Sequence, residues 1–233
     1  MTDIPAFTGF PPEGVQFLSD LAENNNKAWF EANKQIYLEA VQTPARALVV
    51  ALGERLKAEL PPISYDTRTN GGSLMRIYRD TRFSKDKTPY KTNVAMMFTP
   101  EGYKRMEAPG FGLQMTPQQV ELVAGLFGFD KPQLEAYREA VIDDKQGTAL
   151  VQTVGQVQSS GEYRLGGKEL KRVPRGYDAD HPRAEWLKYK GLHVFSPPIS
   201  LEKAQTPDLV DAVMGHFLCM APVQRWLMDT LQI

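Results

Sequence analysis

The sequence predicts an α+β fold: one domain over residues 1–233, with a largely antiparallel sheet packed by N-terminal and C-terminal helices. Three observations carry this. The N-terminal segment repeats apolar positions at helical spacing. Residues 63–126 switch to alternation broken by glycine and proline, and helical spacing with capping residues returns from Asp130 onward. The strands fall between helical blocks instead of alternating with them, so the βαβ repeat of a parallel sheet is not expected. With 233 residues, 42% of them hydrophobic, the chain has material for a core that needs no staples. Its single cysteine excludes an internal disulfide framework, a Cys-x-x-Cys pair and a cysteine-rich zinc site.

The elements follow in order. Pro11-Pro12-Glu13 opens a helix with Val15, Leu18 and Leu21 on one side, stopped by Asn24-Asn25-Asn26. One of those asparagines caps the next helix, which carries Trp29, Phe30, Ile36, Tyr37 and Val41. Thr43-Pro44 is expected to break or restart it, since proline is tolerated only in a first turn. Leu48, Leu52 and Leu56 then form a stripe, and Pro61-Pro62 ends the helical block. Residues 63–69 and 74–79 read as two strands around an Asn70-Gly71-Gly72 turn. Residues 94–98 are apolar on both faces, as in a central strand. Phe111, Leu113 and Met115 alternate with smaller or polar residues, and Val120, Leu122, Ala124 and Leu126 do so again. The turn between these last two, Thr116-Pro117-Gln118-Gln119, also has the form of a helix capping box, but the glycines at 125 and 128 favour strands.

Asp130-Lys131-Pro132-Gln133 starts a helix with Leu134, Tyr137, Val141 and Ile142 on its apolar side. Residues 143–147 read as a loop and 149–157 as a further helix. Residues 161–177 hold Gly166-Gly167 and Pro174-Arg175-Gly176, consistent with short strand or loop. Asp180-His181-Pro182 is expected to cap a helix running to Lys188, and 192–195 to form a short strand. Thr206-Pro207-Asp208 opens a C-terminal helical region interrupted near Ala221-Pro222. Cys219, between Leu218 and Met220, reads as a buried hydrophobe, and Trp186 and Trp226 read as core.

The net charge of -1 hides an uneven distribution. Residues 76–93 carry six basic side chains (Arg76, Arg79, Arg82, Lys85, Lys87, Lys91) against Asp80 and Asp86, a net +4. Residues 168–183 carry five basic against three acidic, a net +2, which leaves -7 on the remainder. Positive charge gathered into two windows suits local binding of an anion, not general polyanion binding. On a strand, Arg76, Tyr78 and Asp80 share one face, spaced by roughly 6.5–7 Å, opposite Met75 and Ile77. The loop that follows adds Arg82, Lys85, Lys87, Tyr90 and Lys91 with Ser84, Thr88 and Thr92. Guanidinium forks beside hydroxyls suit phosphate or carboxylate groups. A charged strand face is more often plain solvated surface, but three aromatics (Tyr78, Phe83, Tyr90) and little glycine set this segment apart.

The second window offers Lys171, Arg172, Arg175 and Tyr177 as further ligand contacts. There Asp178, Asp180 and His181 form an alternative acid–base or metal set, weakened by the capping role expected of Asp180. His193 and His216 lie on apolar segments and read as packed or surface histidines. Asn24-Asn25-Asn26-Lys27 reads as stop and cap, with ligand hydrogen bonding as the alternative. No phosphate-binding glycine loop, dinucleotide fingerprint, nucleophile elbow or His-Glu-x-x-His motif occurs, so nothing supports those chemistries or names a cofactor.

Three stretches appear in order: Asn24-Asn25-Asn26-Lys27-x-Trp29-Phe30, the run from Arg76 through Pro89-Tyr90-Lys91-Thr92-Asn93, and Leu170-Lys171-Arg172-x-Pro174-Arg175-Gly176-Tyr177 with His181-Pro182. Together they resemble the bacterial and fungal family called domain of unknown function 2461, over residues 17–230. The resemblance implies one α+β domain and no assigned reaction or catalytic residue.

The expectation is therefore one cationic pocket, built from both windows, for a phosphate- or carboxylate-bearing small molecule. A nucleic acid is a less favoured partner, because the acidic remainder repels a polyanion. Two alternatives stand: an enzyme acting on a phosphorylated substrate with Asp80, Asp86 or His181 in acid, base or metal roles, and a protein-interaction module whose charged motif is an internal salt-bridge network. The longest aliphatic run, residues 47–52, is too short to cross a bilayer, and no basic stretch precedes an apolar one near Met1. A soluble, cytoplasmic protein with no membrane partner is expected.

Overall fold

The computed structural model describes residues 4–60, 62–68 and 71–233. It is an α+β protein. Six strands form one sheet in the order β1-β2-β3-β4-β6-β5: β1 Ile63–Ser64, β2 Val94–Pro100, β3 Gly110–Met115, β4 Val120–Leu126, β5 Arg164–Lys168 and β6 Tyr189–Phe195. The chain divides into two compact units. The first comprises Met1–Phe98, Gly112–Glu121 and Pro198–Met214, the second Thr99–Phe111, Leu122–Pro197 and Gly215–Ile233.

In the first unit, α1 (Pro12–Glu23) has proline in its opening turn and buries Phe17, Leu18 and Leu21. Asn26 caps α2 (Lys27–Ala32), its side chain accepting from the Trp29 amide at 3.0 Å. Thr43-Pro44 restarts the helix and does not break it: α3 (Lys34–Ile36), a π-helical turn at Tyr37–Gln42 and α4 (Thr43–Glu59), with proline in its first turn, are consecutive. The Thr43 amide and hydroxyl both donate to the Leu38 carbonyl five residues back. This widened turn accommodates the proline that follows it. Pro44 has no N–H to offer the Ala40 carbonyl, which faces α1 at Gly14; a Cβ there would overlap the carbonyl oxygen. Leu48, Leu52 and Leu56, the stripe expected of α4, are fully buried.

The first expected hairpin is mostly irregular. Only Ile63 and Ser64 are strand; Pro61, Thr69 and Asn70 lie outside the described residues. Residues 74–79 do not form a continuous strand either. They meet the chain leading into β2 at two isolated antiparallel bridges, Leu74↔Met96 and Tyr78↔Tyr90. Four steps on one side are matched by six on the other, so two extra residues bulge out and break the ladder. The flanking amides are nonetheless satisfied: Met75 bonds to the Ala95 carbonyl at 2.8 Å, Arg79 to Pro89 at 2.9 Å and Lys91 to Ile77 at 2.7 Å. β3 buries Phe111, Leu113 and Met115 as its alternation requires. At the turn into β4, the Thr116 hydroxyl accepts from the amides of Gln118 and Gln119 as a helix cap would, yet the chain enters a strand.

In the second unit, α5 (Lys131–Ile142) begins with the expected capping box: Asp130 accepts from the Gln133 amide at 2.9 Å, and Gln133 accepts from the Asp130 amide at 3.1 Å. Residues 143–147 are not a loop. Asp143 accepts from the amides of Lys145 and Gln146, so α6 (Asp144–Ser159) starts at once. β6 pairs antiparallel with β4, with Ala124 opposite Val194, and with β5 on its other side. The helix expected behind Asp180 is only a 3₁₀ turn, Ala184–Lys188, preceded by Arg183 without a side-chain cap. Asp180 does not cap this turn, because Arg183 stands at the N-cap and Asp180 lies three residues before it, its amide donating to the Asp178 carboxylate at 2.9 Å. Cys219 is only partly buried, with the Ser160 hydroxyl 2.9 Å from its sulfur. Trp226 is core and donates to the Gln146 carbonyl, while Trp186 is half-buried and stacks on Tyr189 at 5.4 Å.

Two helices complete the chain: the short α7 (Leu201–Ala204), which the sequence does not signal, and the long α8 (Leu209–Leu231). The interruption expected near Pro222 is absent, and the proline sits inside α8.

Candidate anion-binding site

Residues 76–93 belong to the first unit and form an extended arm, a loop and a return, closed by the Tyr78↔Tyr90 bridge. The predicted facing holds. Ile77 is buried while Arg76, Tyr78 and Asp80 are exposed. The segment is anchored by Tyr90, whose ring is 3% exposed and stacks on Phe30 with centroids 4.1 Å apart. Tyr78 leans on the same pair, 5.3 Å from Tyr90 and 6.2 Å from Phe30. Tyr90 thus positions the segment through its ring, and burial raises its phenol pKa above the ordinary value.

The main chain of Tyr90 is held as well. Asn25 donates its amide to the Tyr90 carbonyl and accepts from the Tyr90 N–H, each at 3.0 Å. This is the task of the middle asparagine of 24–26, which the sequence shows only as part of a stop-and-cap run. Asn24 meanwhile donates to the Asp20 carbonyl at 2.9 Å.

The charged side chains are organised locally. Nη1 of Arg79 donates both to the Asp86 carboxylate and to the Thr88 hydroxyl. Among the described residues its Nε–Nη2 edge makes no hydrogen bond. Asp86 also accepts from the Thr88 amide at 2.9 Å and from its hydroxyl at 2.9 Å. Arg82 grips Asp80 with Nε at 3.0 Å and Nη2 at 2.7 Å, a bidentate pair. Lys87 donates to the Thr81 carbonyl at 2.8 Å. Hydrogen bonds from Arg82 hold the Asp80 carboxyl down to about 2, and those from Thr88 and Arg79 hold Asp86 to about 2. Both are ionised at neutral pH.

Beside these pairs lies a concavity of about 350 Å³, lined by Ala22, Asn25, Arg79, Asp86, Thr88, Tyr90, Lys91, Thr92 and Asn93. It combines a guanidinium, an ammonium, two threonine hydroxyls, two side-chain amides and the Asp86 carboxylate that pairs with Arg79. Arg76, Tyr78, Arg82, Lys85 and Lys87 do not line it.

The second window lies in the other unit. Its start is tied to the 3₁₀ turn through the amides of Glu169 and Leu170, which both donate to the Lys188 carbonyl. Lys171, Arg172 and Arg175 are exposed and make no ion pair among the described residues. Tyr177 is half-buried, with the Arg138 guanidinium 5.9 Å from its ring centroid. Nδ1 of His181 accepts from the Arg183 amide at 3.1 Å. The Asp178 and His181 side chains each accept from a backbone amide two residues on, and no group of three or more His, Cys, Asp or Glu among the described residues could hold a metal ion.

Arg183 has a structural role that its place in a basic window does not signal. Its Nε donates to the Val141 carbonyl at 2.7 Å, and its Nη2 to Ile142 at 3.1 Å, Asp143 at 3.2 Å and the Asp144 carboxylate at 3.1 Å. One guanidinium thus satisfies orphan carbonyls at the end of α5. Gly147 leaves the room, since a Cβ there would overlap this guanidinium and the Val141 carbonyl.

A family model described as "Conserved hypothetical protein (DUF2461)" matches residues 13–226, most of the chain. A search of curated proteins finds no match. The chain belongs to this family of conserved hypothetical proteins.

Proposed function

We propose that this family member binds a phosphate- or carboxylate-bearing small molecule at the concavity beside Arg79. The observation that supports the reading is the meeting of Arg79, Lys91, Thr88, Thr92 and the amides of Asn25 and Asn93 around about 350 Å³. Thr88 already donates to Asp86 and Asn25 to Tyr90, so the Arg79 guanidinium, oriented by Asp86 and Thr88, is the group that carries the reading, with Lys91 and Thr92 beside it. Its Nε–Nη2 edge matches the fork geometry of a carboxylate or phosphate. Lys171, Arg172, Arg175 and Tyr177 enter the proposal as a second set of anion contacts, to be tested separately. A cytoplasmic setting belongs to the same reading, supported by the single cysteine. No helix of the described residues is long and apolar enough to cross a membrane.

An acid–base role gains nothing from Asp80 or Asp86, because a carboxylate with a pKa of about 2 is a poor base and is not a proton donor at neutral pH. A second reading is favoured by a specific observation: the Arg79–Asp86 and Arg82–Asp80 pairs are what an interaction module with a salt-bridge network requires. A thermal-shift screen of inorganic phosphate, nucleoside phosphates and dicarboxylates separates the two. A specific ligand at a hundred times its Kd adds about 2.7 kcal/mol of stability by mass action. The expected result is a shift in the wild type that is lost in Arg79→Ala and kept in Arg175→Ala. If no anion stabilises the wild type while Arg79→Ala lowers its melting temperature, the proposal fails and the network reading stands.

A further inference from the structure

Phe83 sits in the loop of the 76–93 segment with 94% of its surface exposed, more than any other large apolar side chain among the described residues. Leaving a phenylalanine in water forgoes the burial that most of its kind obtain in a fold. The Arg82 guanidinium lies over the ring, 5.8 Å from its centroid. Tyr78, in the same segment, is 47% exposed, and its ring is steadied by Tyr90 and Phe30. Arg76, Lys85 and Lys87 are exposed in the same segment, which carries a net +4.

Open aromatic rings interleaved with cations match a ligand whose flat rings are joined by phosphates. A duplex hides its base faces, so stacking requires a single strand. A membrane wedge calls for a broader apolar surface than one phenylalanine and one half-covered tyrosine. We propose that the 76–93 segment is a stacking platform for single-stranded nucleic acid, with a base on Phe83, a second on Tyr78, and phosphates on Arg76, Lys85 and Lys87. This goes beyond the anion-binding reading above, because none of these residues lines the concavity beside Arg79. The rest of the chain carries -5, which confines the contact to a few nucleotides.

The test is fluorescence anisotropy with labelled dT12 and rU12, which distinguish DNA from RNA as the source of the same chemistry. Three phosphate contacts on a single strand give a slope of log K against log[salt] of about -2. Phe83→Ala is expected to weaken binding by roughly 5- to 100-fold and Phe83→Trp to keep it, as one stacked base predicts. Phe83 is exposed, so neither variant endangers folding. If inorganic phosphate stabilises the protein but Phe83→Ala leaves oligonucleotide binding unchanged, the stacking platform is refuted and the anion site survives. If neither dT12 nor rU12 binds, the stacking platform falls whether or not phosphate stabilises the protein. If dT12 and rU12 do not bind but phosphatidylcholine–phosphatidylglycerol vesicles do, and Phe83→Ala releases them, the segment is a membrane contact and the inference is overturned.

Discussion

Three asparagines in a row should have three different costs when each is cut to alanine. Asn25 makes two hydrogen bonds at 3.0 Å to the main chain of Tyr90, a residue only 3% exposed. Each such bond contributes about 0.5–1.5 kcal/mol, and more where the partner left behind is shielded from water. Asn25→Ala is therefore expected to cost about 1–3 kcal/mol, which for a chain of this length lowers the melting temperature by roughly 3–9 °C. Asn26→Ala removes the cap on the Trp29 amide and costs about 1 kcal/mol. Asn24→Ala removes an exposed bond to the Asp20 carbonyl, which keeps its bond from the Asn24 amide, so the loss stays under about 0.5 kcal/mol. Urea denaturation with fluorescence detection measures all three, and a constant m-value confirms that stability alone has changed. Equal effects at 24 and 25, or a loss below about 0.5 kcal/mol at 25, would refute the claim that Asn25 pins the segment.

Two further outcomes follow from the charged groups. Arg183→Met keeps much of the side-chain length but abandons three carbonyls; it is expected to cost about 2–4 kcal/mol in urea denaturation, and a loss below about 1 kcal/mol would show that water replaces the guanidinium. Asp80 and Asp86 have folded values of about 2, below the ordinary 3.8. Their contribution is accordingly full above about pH 4 and is lost as pH falls through 2. Both are exposed, so the effect is small and screened by salt. At low ionic strength the stability gap between wild type and Asp86→Asn should close between pH 5 and about 2, and a gap that widens on acidification would reverse the assignment.

Much of the fold was legible because its signals are local. Asp130 and Gln133 make the capping box their spacing announces, Leu48, Leu52 and Leu56 are buried as a stripe, and Phe111, Leu113 and Met115 face the core. The misses also have local causes. Thr43-Pro44 restarts the helix as its proline allows, but the π-helical turn before it, which absorbs the missing N–H, has no signal in the sequence. Residues 143–147 looked like a loop because Asp143-Asp144 is as good a turn as a cap. Pro222 did not end α8, since a proline's local cost of about 3 kcal/mol can be met by the packing of a long apolar helix. At the candidate site, the cationic segment and its facing were readable from Arg76 to Asp80. The pairing of Arg79 with Asp86 and Thr88, and the anchoring of Tyr90 on Phe30, were not.

The division has a physical basis. Caps, alternation and net charge depend on neighbours within a turn or two, so the sequence by itself determined the helical and strand blocks, the single-cysteine chemistry and the concentration of positive charge in two windows. Which asparagine grips Tyr90 depends on a partner 65 positions away, and which carbonyls Arg183 serves on partners about 40 positions away. Those choices are made by packing, which brings one backbone within 3 Å of a distant side chain and leaves an identical neighbour in water. Whether Phe83 is covered or open was likewise decided only in three dimensions, where its side chain stands 94% exposed among the described residues.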